Sequence, residues 1–550
     1  MKPFIRAVNV MILCTAFTIA AGLFVSAESG TLTTQSADDA NGGGFCPGVA
    51  RFDAGSTDIG INKVDIMKDD TFETAGSATP VAAYTAGEQP NAPAALDYKR
   101  STCYSNRADG TVTITQPEDT AGVKYYQLYW ADANGPISGY TGLQPIYPTA
   151  KKQIIYTLNS DTLIPDGATR LIAYSIGKVP SKDYAETALP AADEKLIFGE
   201  KLAEFQVLSD IHITYSKSDD HSKHFAAAMK QITELSPDSI GVITCGDNTD
   251  GTSAKKEIEE KQYKNFLDIF SSSGFKSKLY PVLGNHDLYW SATGGRDDAV
   301  QMFKEAFGYG DDYDVWMNDN IHLVMLADAG GGDNNATITK DQLVWLDAKL
   351  GERYGEEGVL TLLAIHQPLY DTVAGSFKGQ GWNGIDANCE DALRAVLAKY
   401  PNAIMFNGHT HWEFNSVGIM KKGGTDFMYA FLAPSCGYLW TDDDKYKYGS
   451  EGFFVEVYEN IVRVRGRDFI NELWTSNADF VIVKNTVAES VQAAADTISA
   501  STTGEAANEN APASKPSSSA GITAAAICGA TVLVTAVAGA AAVISKKRVK

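Results

Sequence analysis

Five short motifs with metal-binding side chains occur in a fixed order along the chain. They are Asp210-Ile211-His212, Gly246-Asp247-Asn248-Thr249-Asp250, Gly284-Asn285-His286-Asp287, His366-Gln367-Pro368 and Gly408-His409-Thr410-His411. Carboxylates, imidazoles and one carboxamide are nitrogen and oxygen ligands of the kind that hold Zn, Mn or Fe. Only 8 of the 550 residues are His, and five of these lie in the motifs, so chance scattering is a poor explanation. Two metals held close together would form a site for cleaving phosphate esters.

A short apolar, β-branched run precedes each motif, which is typical of a buried strand. The five predicted strands are 204–209, 240–245, 279–283, 359–365 and 403–406. Each candidate ligand therefore follows the C-terminal end of a strand, and open α/β sheets place their ligands at that edge. Gly246, Gly284 and Gly408 would let the backbone turn close to the metals.

The five motifs resemble the D-x-H, GD-x-x-D, GNH-D/E, H-x-P and GH-x-H blocks of the calcineurin-like metallophosphoesterase superfamily, over residues 203–470. The resemblance implies an α/β fold, the αββα sandwich, in which two β-sheets pack face to face with helices outside. It also implies two divalent metal ions, such as Mn, Fe or Zn. One would be held by Asp210, His212 and His411, the other by Asn285, His366 and His409, with Asp247 bridging the two.

Residues beside the ligands have further predicted roles. The resemblance places His286 at the phosphate, where it would protonate the leaving group or stabilise the transition state, and imidazole titrates in the range that this work needs. Asp250 and Asp287 are expected to orient imidazoles from behind. Arg296 is a candidate for contacting the substrate phosphate, although we favour a solvated loop arginine. With Asp247 bridging the metals, we expect hydrolysis by metal-bound hydroxide.

Two departures from a related family are informative. Purple acid phosphatases resemble this pattern but place a Tyr near the second motif, where it binds ferric iron. Here the segment after Asp247 contains no Tyr, and the first motif has His212 where those enzymes usually have Gly. A tyrosinate-bound iron site is therefore not expected. No ligand of the metallophosphoesterase pattern is missing, so we expect an active enzyme.

The remaining histidines are assigned no chemistry. His221 and His224 open a predicted helix, 221–235, and are expected to be solvated, whereas His322 begins a predicted strand, 322–327. Two segments near the motifs, 288–298 and 329–336, are predicted to set the size of the substrate.

The N-terminal segment predicts export. Lys2 and Arg6 precede an apolar run that ends in Val25-Ser26-Ala27, the pattern of a signal peptide over residues 1–27. An uncleaved signal anchor is the alternative. Residues 28–104 are interpreted as a spacer that contains an uncertain β region.

The C-terminal segment predicts a membrane anchor. Residues 521–544 carry no charge and are followed by a basic tail, 545–550, which predicts one transmembrane helix with a cytoplasmic tail. The catalytic part would then lie outside the cell membrane. Residues 485–520 are rich in small and polar residues, and they predict a flexible linker.

Residues 105–195 predict a small all-β sandwich. Alternating strands are expected at 111–115, 123–130, 153–158 and 169–176, separated by Asp-Gly and Asn-Gly turns. The region is similar to fibronectin-type or immunoglobulin-like domains. It could pack against the catalytic mouth, bind a surface or act as a plain spacer, and we favour the spacer. The catalytic domain is predicted to occupy residues 200–475.

Cysteines and charge restrict the function further. Outside the predicted signal and span the cysteines are Cys46, Cys103, Cys245, Cys389 and Cys436. An exported chain permits disulfides, and a bridge between Cys46 and Cys103 is plausible, whereas Cys245 is predicted to be a buried thiol. The net charge of −22 and the lack of a basic patch before the tail argue against a nucleic-acid-binding surface. Small nucleotides stay possible because bound metals supply positive charge.

Together these observations predict a membrane-anchored dimetal phosphoesterase at the cell surface, acting on a small phosphomonoester or phosphodiester. Two alternatives remain open. One is a nuclease or a nucleotide or lipid pyrophosphatase, which substrate size would distinguish. The other is a non-catalytic surface binding module, in which variants of the ligands would keep all function. The natural substrate, the metal and the oligomeric state are left open.

Overall fold

A computed structural model describes residues 89–159, 161–251, 255–289, 295–330, 334–380, 384–423 and 427–484. The predicted signal peptide, Cys46 with its predicted bridge to Cys103, the linker at 485–520 and the span at 521–544 lie outside these ranges. Within the described ranges, no helix has the length and apolar character needed to cross a membrane.

The N-terminal part of the described chain consists of strands. They are β1 (Ala95–Arg100), β2 (Arg107–Ala108), β3 (Gly110–Thr115), β4 (Tyr125–Asp132), β5 (Gly135–Pro136), β6 (Gln153–Thr157), β7 (Thr162–Leu163), β8 (Arg170–Ile176) and β9 (Ala185–Ala188). The order β1-β3-β6 forms one antiparallel sheet and β5-β4-β8-β9 forms a second. Val112 and Ile114 of the first sheet share a buried core with Leu128 and Trp130 of the second. The first strand starts at Ala95, earlier than the predicted boundary at residue 105.

The catalytic part alternates strands and helices. Its elements are β10 (Lys201–Leu208), α1 (Asp220–Leu235), β11 (Gly241–Thr244), α2 (Lys256–Ser272), β12 (Lys278–Pro281), α3 (Asn285–Tyr289), α4 (Arg296–Phe307), β13 (Tyr313–Asn318), β14 (Ile321–Leu326), α5 (Lys340–Leu350), β15 (Leu360–Ile365), α6 (Ala387–Leu397), β16 (Ile404–Asn407), β17 (Met420–Lys421), β18 (Tyr429–Leu432), β19 (Leu439–Trp440), β20 (Tyr446–Lys447), β21 (Glu451–Tyr458), β22 (Ile461–Asp468) and β23 (Leu473–Val483). Each of the five strands predicted before a motif is present, with ends shifted by at most three residues.

Two sheets form the centre of the catalytic part. One has the order β12-β11-β10-β21-β22-β23-β7-β2 and the other has the order β13-β14-β15-β16-β18-β17. Their facing sides share a single core, in which Phe453 of the first sheet lies close to Phe406 and Phe431 of the second. Strands β10, β11 and β12 run parallel, and so do β14, β15, β16 and β18. The C-terminal ends of the strands in each group therefore lie at the same edge of their sheet.

Helices cover the outer faces of both sheets, which confirms the predicted α/β sandwich. Phe225 of α1 and Phe266 of α2 pack on Val242 of the eight-stranded sheet, whereas Leu346 of α5 and Leu393 of α6 belong to the core of the six-stranded sheet. Helix α1 starts one residue before the predicted position because the side chain of Asp219 accepts a hydrogen bond from the backbone N–H of Ser222. A side-chain cap of this kind satisfies a donor that the first turn leaves unpaired.

The N-terminal part is joined to the catalytic sheet by backbone pairing. Strand β7 pairs with β23 at Thr162 and Phe480, and β2 pairs with β7 at the edge of the same sheet. Leu163 and Val481 are buried in one small cluster. A plain spacer would not donate strands to the catalytic sheet, so the interpretation of residues 105–195 as a spacer is corrected.

Candidate active site

Four ligand-type side chains converge at the ends of β10, β11 and β16. The ligand atoms of Asp210, His212, Asp247 and His411 lie within 4.8 Å of one another. His411 Nε2 is 3.0 Å from Asp210 Oδ1 and 3.1 Å from His212 Nε2, while His212 Nε2 is 3.7 Å from Asp247 Oδ2. All four side chains are buried. The structure thus brings together the three ligands predicted for one metal and the predicted bridge.

A second group adjoins the first through Asp247. Asp247, His366 and His409 also have their ligand atoms within 4.8 Å of one another. His366 Nε2 lies 3.2 Å from Asp247 Oδ2, and Asn285 Oδ1 lies 3.1 Å from His366 Nε2 and 3.2 Å from His409 Nδ1. Asp247 is the residue common to the two groups, which is the position that a bridging carboxylate needs.

The donor set fits divalent cations. Burial, more than any other cause, holds the pKa of His212 well below its ordinary value and lowers the pKa of His409 to about 3. Both imidazoles are therefore neutral, which is the form that binds a metal. Burial also disfavours a charge on His366, but Asp247 and Asp210 outweigh it and raise the pKa of His366 to about 9. The two carboxylates thus attract positive charge to this point, and a divalent cation can replace that proton.

The backbone at the ligands is strained. Asp210, His212, Asp247, His409 and His411 have φ values between 48° and 71°, and the described chain has only ten non-glycine residues with positive φ. Such conformations cost on the order of 1–3 kcal/mol each and persist where the surrounding structure imposes them, often at functional sites. This backbone conformation lets both ligand side chains of the D-x-H motif, and both of the GH-x-H motif, face the same cluster of ligand atoms.

Glycines permit the close approach of the ligand loops, as the sequence predicted. A Cβ atom at Gly284 would collide with the carboxylate and backbone of Asp247, and one at Gly408 would collide with Ser209 and Asp210. Gly246 has a φ of 90° and faces the ring of His366. Only hydrogen fits at these three positions, so the glycines belong to the geometry of the site.

Hydrogen bonds from the strands fix the ligands. The ring of His366 donates from Nδ1 to the carbonyl of Cys245 over 2.6 Å, which directs Nε2 toward Asp247. The backbone N–H of His409 donates to the carboxylate of Asp210 at 2.9 and 3.0 Å. Such outer contacts set the orientation of metal-binding side chains. Cys245 is fully buried, and burial raises the pKa of its thiol well above the ordinary value, as expected for a structural thiol.

His286 occupies a different position from the ligand histidines. Its backbone N–H donates to Asp247 Oδ1 at 2.8 Å, and its Nδ1 lies 2.7 Å from the carbonyl of Asp250. A carbonyl only accepts, so Nδ1 carries the proton and Nε2 faces the cluster, 4.0 Å from Asp247 Oδ2. The side chain of His286 is 21% exposed. A substrate that arrives from solvent can therefore contact His286, whereas the other four motif histidines are buried.

The two supporting acids differ in what they contact, and only Asp250 lies against an imidazole as predicted. Asp250 meets the ring of His286 through its backbone carbonyl, and its carboxylate lies within 4.8 Å of ring nitrogens of His212 and His286. Asp287 instead accepts hydrogen bonds from the backbone N–H groups of Gly284 and Thr249, at 2.8 and 3.1 Å. Asp287 therefore ties the second and third ligand loops together, and its predicted role of orienting an imidazole is corrected.

Arg296 is not a solvated loop residue, and its hydrogen bonds do not point its guanidinium toward the ligand cluster. It begins α4, where its guanidinium donates to Asp311 and to the backbone carbonyl of Asp328, each at 2.8 Å or less. These contacts occupy the group that would bind a phosphate. Tyr289 ends α3 and Arg296 starts α4, so the described parts of the predicted loop at 288–298 are largely helical.

The expectation that His221 and His224 are solvated was wrong. His221 Nδ1 is 2.8 Å from the carbonyl of His212, and the buried ring of His224 is 2.7 Å from the carbonyl of Gly437. Residues three apart in a helix lie on the same side of it. This spacing was the sequence feature from which the inward position of both rings could have been predicted. His322 is also buried, and it contacts Asp314 at 3.0 Å and stacks on Trp316.

Two tyrosines at the site were not predicted. The ring of Tyr438 lies 4.5 Å from that of His411 and 5.5 Å from that of His212. Tyr289 accepts a hydrogen bond from the amide nitrogen of Asn285 at 2.8 Å, which leaves the amide oxygen toward His366 and His409. Tyr289 follows the third motif by two residues, but Tyr438 lies outside all five motifs and carries no sequence signal.

Comparisons with known proteins agree with this geometry. Residues 205–413 match the family model described as calcineurin-like phosphoesterase. The chain is 26% identical, over 216 residues, to a 3′,5′-cyclic-nucleotide phosphodiesterase of Nostoc sp., which covers 38% of this chain and 71% of that protein.

Similar solved structures include a dimetal phosphatase from Danio rerio and GAP50, the anchor in the inner membrane complex of Plasmodium. The first is 13% identical with a TM-score of 0.37, covering 52% of this chain and 100% of the other. The second is 12% identical with a TM-score of 0.36, covering 52% and 90%. By its motifs, its cluster and its family match, residues 205–413 form a calcineurin-like phosphoesterase domain, and the protein is a metal-dependent phosphoesterase.

Proposed function

We propose that this protein hydrolyses a phosphodiester with the help of two divalent cations bound side by side. The single observation that carries the proposal is the position of Asp247, whose carboxylate belongs to both groups of ligand atoms. One group would hold a cation through Asp210, His212 and His411, and the other through Asn285, His366 and His409. A carboxylate shared in this way offsets the repulsion between two neighbouring cations.

The chemistry then divides between the cations and the chain. Two bound cations would lower the pKa of a water molecule and clamp the phosphate oxygens. His286 stands beside this centre with its Nε2 turned inward and its Nδ1 held by the carbonyl of Asp250. When doubly protonated, it can donate from Nε2 to the oxygen of the departing alcohol. Imidazole is the side chain that most often transfers protons in catalysis.

The similar protein from Nostoc, named as a 3′,5′-cyclic-nucleotide phosphodiesterase, favours a diester over a monoester and makes cyclic nucleotides the first natural substrates to test. A phosphomonoester remains the second candidate. A nuclease is disfavoured by the net charge of −22, because extended nucleic acid requires a basic surface. A binding module does not need seven buried ligand-type side chains at strained or closely packed backbone positions.

The test is an assay of residues 28–500 against a phosphodiester and a phosphomonoester with Mn, Zn, Fe or no metal. Asp247→Ala and His409→Ala should abolish metal-dependent turnover. Asp314→Ala is the matched control, because Asp314 also pairs with a histidine, His322, outside the site. The proposal would be contradicted if Asp247→Ala turned over substrate at the wild-type rate, or if the wild-type protein bound no metal. The ratio of the diester rate to the monoester rate decides the preferred ester.

We also propose that the enzyme acts outside the cell, held at the membrane by residues 521–544. The support is the charge pattern of the two ends of the chain. When cells that express the whole chain are fractionated, the protein should be found in the membrane fraction. Protease added outside intact cells should digest the catalytic part of the protein. A chain without residues 521–550 should appear in the medium. Retention of that shorter chain inside the cell would contradict this location.

A further inference from the structure

An aromatic stack extends from the ligand cluster to the surface. The ring of Tyr438 contacts the ring of His411 at 4.5 Å, and the ring of Tyr446 lies 5.8 Å from that of Tyr438, at an angle of 25°. His221 also stacks on Tyr438, at 5.7 Å and 24°. Exposure increases outward along the stack, since Tyr438 is partly buried and Tyr446 is 59% exposed. Tyr446 therefore presents aromatic surface to solvent one ring beyond the site.

The stack is attached to the loops that carry the ligands. The N–H of Trp440, on β19, donates to the carbonyl of His411 at 2.9 Å, and the N–H of Gly437 donates to the carbonyl of Asp210 at 3.1 Å. Tyr446 starts β20, which pairs with β19. These backbone bonds fix the distance from the tyrosines to the ligand cluster. Aromatic rings held in this way beside the ligand cluster are suited to binding a planar group of the substrate at a fixed distance from its phosphate.

We propose that Tyr446, supported by Tyr438, is the binding subsite for the aromatic base of a nucleotide substrate. This inference rests on the proposed phosphodiesterase function, because it requires the phosphate to lie at the ligand cluster. A nucleobase is joined to its phosphate through one sugar, and the stack likewise begins at the ligands and reaches Tyr446 after one intervening ring. Bases stack on aromatic side chains with little dependence on sequence.

The surroundings favour a base over other groups at this place. A second phosphate would be repelled by the acidic chain, whose net charge is −22. An aliphatic group would gain contact with a tyrosine but no stacking of rings. Adenosine monophosphate and ribose 5-phosphate share the sugar and the phosphate and differ in the base, so this pair of probes isolates the contribution of stacking.

The experiment measures the binding of both probes to metal-loaded protein by calorimetry, in the wild type and in Tyr446→Ala, Tyr446→Phe and Tyr184→Ala. The wild type should bind adenosine monophosphate about 5- to 150-fold more tightly than ribose 5-phosphate. Tyr446→Ala should remove most of this preference, and Tyr446→Phe should keep it. Tyr184 is the matched control, because it is an exposed tyrosine that contacts another tyrosine, Tyr174, in the N-terminal part.

Three results would overturn the inference. The first is equal binding of the two probes, or no binding of either, by the wild type. The second is a preference for the adenine probe that survives in Tyr446→Ala, since the base would then bind elsewhere. The third is an equal loss of affinity for both probes in Tyr446→Ala, which would indicate a structural role. A parallel assay of ester hydrolysis separates these results from failure of the proposed function, which would appear as no turnover in the wild type.

Discussion

At the scale of single residues, the five motif histidines separate into two kinds of environment. His212, His366, His409 and His411 are at most 3% exposed, whereas the side chain of His286 is 21% exposed. The buried four present nitrogen atoms to one another and to carboxylates. His286 instead presents Nε2 at the margin of the cluster, with access from solvent. We therefore expect the first four to bind metal and His286 to transfer a proton.

Replacing His286 should separate these two tasks. His286→Asn should lower kcat by about 10²- to 10⁴-fold, the usual contribution of a general acid or base, while leaving the metal content unchanged. The loss should be larger for an ester with an alkyl leaving group than for a p-nitrophenyl ester, which needs little protonation. Loss of metal from His286→Asn, or equal loss of rate for both esters, would contradict the assignment.

Glu451 gives a pH-dependent prediction outside the catalytic chemistry. Burial, with help from Asp468 and Glu413, outweighs the effect of Lys447 and raises the pKa of Glu451 to about 8. The folded protein therefore holds one proton more than the unfolded chain between the ordinary pKa of Glu and about pH 8. The stability due to this proton is present at low pH and is lost as the pH rises through that window, by at most about 1.4 kcal/mol per unit.

Glu451→Gln should abolish this loss. The stability of the variant relative to the wild type should increase between pH 5 and pH 8, as measured by denaturant unfolding of both proteins at each pH. Parallel stability curves for the two proteins across this range would show that Glu451 does not retain the proton.

The ligand residues could be predicted from the sequence because their chemistry is local to each motif. Asp287 and Arg296 could not be placed, because the backbone N–H of Thr249 and the backbone carbonyl of Asp328, which they contact, come close to them only in the fold. Tyr438 was missed for the same reason, since it follows Asp210 by more than two hundred residues and meets the ligands through long-range backbone pairing.

At the scale of elements, the turns after the strands determine how closely the ligands approach. Strands β10, β11, β15 and β16 could be predicted because each contains a short stretch rich in apolar and β-branched residues just before a motif. The hairpin of β19 and β20 could not, because its strands have two residues each and are joined by the polar segment Thr441 to Lys445. That hairpin carries the proposed base subsite.

Gly284 offers the sharpest test of these turns. Gly284→Ala places a Cβ against the backbone and carboxylate of Asp247, so it should displace the bridging residue and lower kcat/KM by about 10²-fold, the order of effect expected for a misplacement of about 1 Å. Metal content should also fall. Gly310→Ala is the matched control, since its Cβ would lie at an ordinary 3.7 Å from the carbonyl of Asp312. Full activity in Gly284→Ala would show that the close approach of Gly284 to Asp247 is not required.

At the scale of the whole molecule, the N-terminal and catalytic parts share one sheet. The sequence indicated the strands of residues 105–195 but not this connection, because β2 and β7 are two-residue strands without an alternating pattern. Side chains reinforce the pairing, since Asn477 accepts a hydrogen bond from the backbone N–H of Gln144 at 3.0 Å and Lys422 forms an ion pair with Asp161 at 2.8 Å.

Removing the N-terminal part should therefore destabilise the enzyme. A chain of residues 200–484 would expose the edge of β23 and the apolar side chains of Ile461 and Val481, which pack with Leu163 and Leu196 in the longer chain. Exposed edges of this kind promote aggregation. Compared with residues 89–484, the shorter chain should unfold at a lower temperature and give less soluble protein. Equal melting temperatures would show that the two parts are independent.

Whether two cations serve the site can be measured as the metal content of purified residues 28–500, determined by elemental analysis beside the rate of diester hydrolysis. We expect two divalent cations per chain in the wild type and fewer in Asp247→Asn, because this carboxylate belongs to both groups of ligand atoms. Activity should fall with the metal. Full activity in wild-type protein that carries one cation or none would contradict the dimetal mechanism.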